Sequence, residues 1–186
     1  VGMVGLIKNI DRVIPSFVQH PGDKVYLVGQ TRDDYAGSEL QKMMTGDISG
    51  IVESFDLHHV HQYMQRLLTT MENGLVSSAH DLSEGGLGVA LAETVFKTDL
   101  GLKIDLADQH TSRLFSETPG RFIVTVAPEK ATEFEQVLGK DAHLIGEVTN
   151  SHWLMVKLAN GELNENVAKL QETWEEAIPC QLKSKD

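Results

Sequence analysis

The chain has 186 residues, 41% hydrophobic and 23% charged, enough for one good-sized domain with a substantial core. Its 27 acidic residues against 16 basic ones give a formal net charge of −11, which argues against general affinity for nucleic-acid phosphates or anionic membranes and favours proteins and small molecules as partners. The single cysteine, Cys180, excludes an intrachain disulfide and Cys/His zinc spacing; no apolar run approaches the roughly 20 residues of a membrane helix and the N-terminus shows no signal pattern, so the chain reads as soluble and cytoplasmic.

In chain order, Val1 to Ile7 is extended and apolar and reads as the end of a preceding domain, so that the chain is expected to be an excised piece of a longer polypeptide. Asp11 to Gly22, with Pro15 and Pro21, reads as a connector. Residues 1–22 are therefore set apart from a domain over 23–178, with 179–186 as a tail. Val25 to Val28 is a continuous apolar run, short enough for a strand covered on both faces. Gly29 to Gly37 is polar, and Ser38 to Met44 has helical composition up to Gly46. Asp56 then caps a helix whose stripe is Leu57, Val60, Met64, Leu67, Leu68 and Met71, ending at Asn73-Gly74.

A short strand over Gly74 to Ala79 leads into a glycine-rich polar turn and a helix carrying Leu87, Leu91 and Val95 at i+4 spacing. Gly101 to Leu106 alternates like a half-buried strand, Thr111 to Glu117 is a candidate short helix, and Arg121 to Val126 is β-rich and central. Pro128 opens a helix that stops at Gly139. Strands around Leu144 to Val148 and Trp153 to Leu158 are joined by a turn at Asn150-Ser151, and Leu163 to Ala177 is predicted as a final helix with a glutamate-rich, solvated face. Strands separated by helices without strict alternation imply helices packed on a mixed sheet.

Two turns carry the candidate chemistry. In His80-Asp81-Leu82-Ser83-Glu84-Gly85-Gly86, Asp81 or Ser83 is expected to cap the following helix, and Asp81-x-x-Glu84 has capping-box spacing. The glycines permit close approach of a ligand or of protein backbone, so a structural helix start and a phosphate contact both remain open. The turn has neither the Gly-Lys-Ser/Thr of a phosphate loop nor a dinucleotide fingerprint. In Ser116-Glu117-Thr118-Pro119-Gly120-Arg121, Arg121 is suited to hold a phosphate bidentately or to pair with Glu117 in a self-satisfied turn. His58, His59 and His61 lack the companions and spacing of a catalytic zinc site, and His80, Asp81 and Ser83 lie too close in sequence for a hydrolase triad.

Ala79 to Leu87 with Ala92-Glu93, Leu114 to Phe122, the opening Val1-Gly2-Met3-Val4-Gly5, and Gly37-Ser38-Glu39 together resemble the phosphoribosylformylglycinamidine synthase (FGAM synthase) family. Within it they are similar to the C-terminal domain of the small, multi-subunit form, a module of the aminoimidazole-ribonucleotide-synthetase-like (AIR-synthase-like) superfamily. The large single-chain form usually differs at Leu82 and after Phe115, and the Ser116 to Arg121 string argues against the selenophosphate and hydrogenase-maturation branches. The resemblance spans nearly the whole chain, in the expected order.

It implies an α+β, three-layer α/β/α domain with a mixed sheet and partial ferredoxin-like topology, like the C-terminal domain of PurM. It further implies an ATP-dependent ligase of purine biosynthesis that converts formylglycinamide ribonucleotide and glutamine-derived ammonia to the amidine. ATP and Mg2+ would be bound mainly by domains absent here, so this piece carries no catalytic residue and no metal ligand and is inactive alone. The implied partners are the N-terminal domains of the same polypeptide, a glutaminase subunit and a small accessory subunit. His80, Asp81, Ser83, Glu84, Gly85 and Gly86 would then border the nucleotide, and Ser116, Glu117, Thr118 and Arg121 the substrate. The alternative is a non-catalytic module that docks partner subunits without binding ligand.

Overall fold

Along Val25-Tyr26-Leu27-Val28 every side chain is buried, and successive side chains enter two different cores. This is the signature of a strand covered on both faces. A computed structural model, which describes residues 2, 4–7, 9–51 and 54–183 and side chains as far as residue 178, places that strand in the middle of the protein. The readings at Val1 and Met3 and of the Cys180 side chain lie outside the described residues.

Seven strands form one sheet in the order β2-β4-β1-β5-β3-β6-β7. They are β1 (Lys24–Val28), β2 (Ser78–Asp81), β3 (Gly101–Leu106), β4 (Phe122–Val126), β5 (Ala142–Thr149), β6 (Trp153–Leu158) and β7 (Gly161–Asn166). All neighbouring pairs are antiparallel except β3 with β6, which makes the sheet mixed. The α-helices among the described residues are α1 (Glu39–Thr45), α2 (Leu57–Glu72), α3 (Gly86–Glu93), α4 (Ala131–Leu138) and α5 (Val167–Lys183). On one face Leu87, Leu91 and Val95, from α3 and just beyond it, and Val167 of α5 pack on Val25, Leu27, Leu102, Ile104 and Ile123. On the other, Tyr63 and Leu67 of α2 and Phe134 and Leu138 of α4 pack on Tyr26, Val28, Val124 and Val126. The result is an α/β/α sandwich. The second helical layer stops short of β3, where Lys103 and Asp105 point to solvent.

Three sequence expectations change. The strand after α2 begins at Ser78 rather than Gly74 and runs on through His80 and Asp81, because Ser78 to Asp81 pair with Thr125 to Phe122. The last helix starts at Val167. Residues 161–166 instead form β7, turned back on β6 through the two-residue turn Ala159-Asn160, with Gly161 paired to Leu158, and this pairing outranks the helical spacing of Leu163. On α2, Leu57, Met64 and Leu68 are exposed, whereas Tyr63, Leu67 and Thr70 are buried. The turn at Asn150-Ser151 joins β5 and β6 as expected, although the two do not pair, since β3 lies between them. That crossover passes over Gly101, where a Cβ would lie 2.3 Å from the Trp153 carbonyl oxygen.

The connector is tied to the domain. Val18 is buried in the α3 side of the core, its N–H donates to Thr94 O, and Pro15 O accepts from Ala79 on the edge strand β2. No described helix is long and apolar enough to cross a membrane.

Candidate functional site

β2 and β4 are neighbours, so the turn that leaves β2 and the turn that enters β4 meet at one end of the sheet. Leu82 N–H donates to Arg121 O at 2.9 Å, and Gly85 N–H donates to a Glu117 carboxylate oxygen at 2.8 Å. A third segment joins them. The loop after β1, residues 29–38, reaches the same place: Glu117 N–H donates to Asp34 O, Arg32 N–H donates to Thr118 Oγ1, and Ser116 Oγ donates to Arg32 O.

The start of α3 differs from the expected cap. Asp81 belongs to β2, and the N-cap is Gly85, in the left-handed region with φ 79° and no side-chain cap of its own. Glu117 does what a glutamate three residues into the helix does in a capping box, accepting the N-cap N–H, but from another turn. The same Oε1 accepts the Glu39 N–H at 2.9 Å, in the first turn of α1, whose own cap is Ser38. Gly86 is used for packing: at φ 62° its Cα faces the 114–116 backbone, and a Cβ would lie 2.2 Å from Ser116 O. The close approach that its glycine permits is to protein.

The 116–121 turn is folded around Arg121, which is 1% exposed. Its Nε donates to Thr118 O at 2.9 Å, its Nη1 to Thr31 Oγ1 at 3.0 Å, and its Nη2 to Ser116 O. Burial pushes its pKa down to about 10, while Asp34, Tyr63 and Glu117 act in the opposite sense, so the group stays charged at neutral pH. Ser116 and Thr118 are likewise buried. The other expected contacts form an outer rim. Asp81, Ser83 and Glu84 are exposed. His80 is half-buried, with Nδ1 2.6 Å from Asp81 O and Nε2 3.6 Å from a Glu93 carboxylate oxygen.

Sequence reading passed over the 29–38 loop, which supplies Thr31, Arg32 and Asp34 to this junction; its only signal was Gly37-Ser38-Glu39. It also passed over Asp141, a buried carboxylate that receives Arg66 Nη2 and lies 3.0 Å from His59 Nε2, fastening α2 to the start of β5. His58 instead meets Gln62 on the exposed helix face. No described group of three His, Cys, Asp or Glu residues could hold a metal ion. A separate apolar groove of about 590 Å³ lies between α3, β6, β7 and α5, lined by Phe96, Phe115, Leu163 and Trp174 among others.

The model of the family "AIR synthase related protein, C-terminal domain" matches residues 20–157. Over 186 residues the chain is 66% identical to the phosphoribosylformylglycinamidine synthase subunit PurL of Limosilactobacillus fermentum, covering all of this chain and 25% of that protein. The crystallised PurL of Thermotoga maritima is similar in fold. Its complex with FGAR superposes with TM-score 0.74 at 26% identity, covering 87% of this chain and 30% of that one. Its complex with ATP gives TM-score 0.70 at 25% identity, over 87% and 28%. The chain thus spans about a quarter of the length of the curated relative it matches.

Proposed function

The chain belongs to the family of AIR synthase related C-terminal domains, and from that premise we propose that it is the C-terminal domain of the small-form FGAM synthase subunit. In that role it serves an ATP-dependent, amidine-forming ligase of cytoplasmic purine biosynthesis. The carrying observation is 66% identity over the entire length of the chain to a PurL subunit.

The domain's part is to wall the cleft in which formylglycinamide ribonucleotide and ATP meet. The Thermotoga relatives with FGAR and with ATP support those two ligands for the full-length protein. We assign any Mg2+ to the remainder of the polypeptide, as the family resemblance implies. The domain's part on this reading is position rather than proton transfer, and it is inactive alone. His80, Asp81, Ser83 and Glu84 form the rim that borders the nucleotide, and Gly85 and Gly86 shape the turn behind it. Ser116, Glu117, Thr118 and Arg121 hold that rim from behind, since their polar groups are turned toward protein. The remaining domains of the polypeptide, a glutaminase subunit and a small accessory subunit complete the assembly.

The test is kinetic and uses the full-length enzyme. Ser83→Ala combined with Glu84→Gln is expected to raise KM for ATP or for formylglycinamide ribonucleotide by roughly tenfold, the worth of one or two lost hydrogen bonds, with thermal stability unchanged. Wild-type KM and kcat would leave the second reading, a structural module without ligand contact. That reading is favoured by the inward commitment of the Arg121 donors.

A further inference from the structure

Two main-chain N–H groups converge where the loop after β1 meets the turn after β2. One is that of Glu39, in the first turn of α1, and the other is that of Gly85, the N-cap of α3. Such a meeting of amides and helix starts favours an anion. It already has one, because a single oxygen of Glu117 accepts both, at 2.9 and 2.8 Å. The carboxylate is held there by its own backbone. Glu117 N–H is bonded to Asp34 O, and the flanking Ser116 and Thr118 are buried and bonded to the main chain of Arg32. Arg121 fixes the turn from the other side through the carbonyls of Ser116 and Thr118. Gly86, pressed against Ser116 O, leaves no gap through which the two turns could separate without losing contact along their length.

We propose that Glu117 is a built-in anion: its carboxylate fills the amide-lined position between α1 and α3, so the native chain excludes free phosphate there and accepts a small anion only when that carboxylate is removed. This deepens the cleft-wall reading, on which it depends only for the presence of a ligand alongside. A ligand on that wall would meet the side chains of the rim and not the Gly85 and Glu39 amides. Glu117 is thus a positioning residue, tying the 29–38 loop to the 80–86 turn as one body.

The proposal is tested on the 186-residue chain without nucleotide, so its outcome is separate from the kinetics above. Inorganic phosphate and formate are the probes, with chloride at matched ionic strength as control. The native chain is expected to show no phosphate-specific change in melting temperature or in the Gly85 and Glu39 amide resonances. Glu117→Ala is expected to melt roughly 4–8 °C lower, and formate or phosphate should restore at least half of that loss while shifting the same two resonances. Should Glu117→Ala not fold, Glu117→Gln keeps one acceptor oxygen without the charge. It should fold, melt between native and alanine values, and keep both amides protected from exchange. Phosphate shifting the two amides in the native chain would overturn the proposal, and so would an alanine variant that melts like the native chain or responds to neither anion. Unprotected Gly85 and Glu39 amides in Glu117→Gln would also overturn it.

Discussion

The inner and outer halves of the polar junction have similar composition and opposite fates. In the inner half, Ser116, Thr118 and Arg121 are 0%, 3% and 1% exposed, and each is hydrogen-bonded to the protein. In the outer half, the side chain of Asp81 is 73% exposed, and Ser83 and Glu84 face solvent. A hydroxyl, a carboxylate and a basic group in one turn therefore do not by themselves mark a ligand site. What separates the halves is the direction of their donors: buried polar groups must find protein partners or carry the full cost of desolvation, whereas the rim can leave its groups to water or to a ligand.

The largest effect expected from that contrast is at Arg121. Arg121→Met keeps much of the side-chain volume but orphans the Ser116 and Thr118 carbonyls and the Thr31 hydroxyl, so it should cost about 3–5 kcal/mol of unfolding free energy. Asp81→Ala, on the rim, should stay within about 0.5 kcal/mol. Urea titrations of the two variants measure the difference. Since the Arg121 pKa of about 10 remains above neutrality, its cost should also be flat between pH 5 and 8. Equal and small effects at both positions would erase the distinction between the halves.

Next in size is the seam between the two turns. Gly86→Ala places a Cβ 2.2 Å from Ser116 O and 2.9 Å from Leu114 O, both backbone atoms, at a φ of 62°. Strain and displacement together should cost roughly 2–4 kcal/mol, and the loss should appear first as faster amide exchange at Leu82 and Gly85, whose bonds cross the seam. An alanine variant of native stability would mean that Gly86 is spared for a ligand's approach rather than for Ser116 O.

The same physics decides how much was legible in the sequence. β1, β3 and β4 could be read because their hydrophobic pattern is local, and α1 because Ser38 and Gly46 bracket it. β7 is hidden in the sequence because its turn, Ala159-Asn160, is short and Leu163 with Val167 and Leu170 imitates a helical stripe. On α2 both faces offer apolar residues, and the choice is made by Tyr63, whose hydroxyl donates to Gly120 O at 2.6 Å, a partner 57 residues away. The candidate site was legible as two polar strings but not as a junction. Its cap on α3 comes from Glu117, 32 residues further along, and its third wall from a loop that composition marks only as polar. Local pattern reports burial period; it does not report which distant carboxylate answers a helix start.

A smaller effect sharpens the rule that buried polar groups need partners, at the other end of β1. Asp23 is 2% exposed, and its Oδ2 has no hydrogen-bond partner among the described residues. Burial raises its pKa above the ordinary 3.8; a bond from Ser77 and the proximity of His20 and Lys130 act against that, and Glu129 adds to it. A raised carboxyl pKa means that the folded state disfavours the charged form. The associated stability is fully present below pH 3.8 and is lost as pH rises through the higher folded value. Asp23→Asn removes the charge with little change of shape, so it should stabilise the chain by about 1 kcal/mol at pH 7. The gain should shrink on acidification and disappear near pH 3, where the native side chain is protonated in both states. Thermal melts from pH 3 to pH 7 measure it. A variant that is less stable at pH 7, by an amount independent of pH, would show that Asp23 is as well partnered as Arg121, and burial alone would then no longer separate satisfied from unsatisfied groups in this fold.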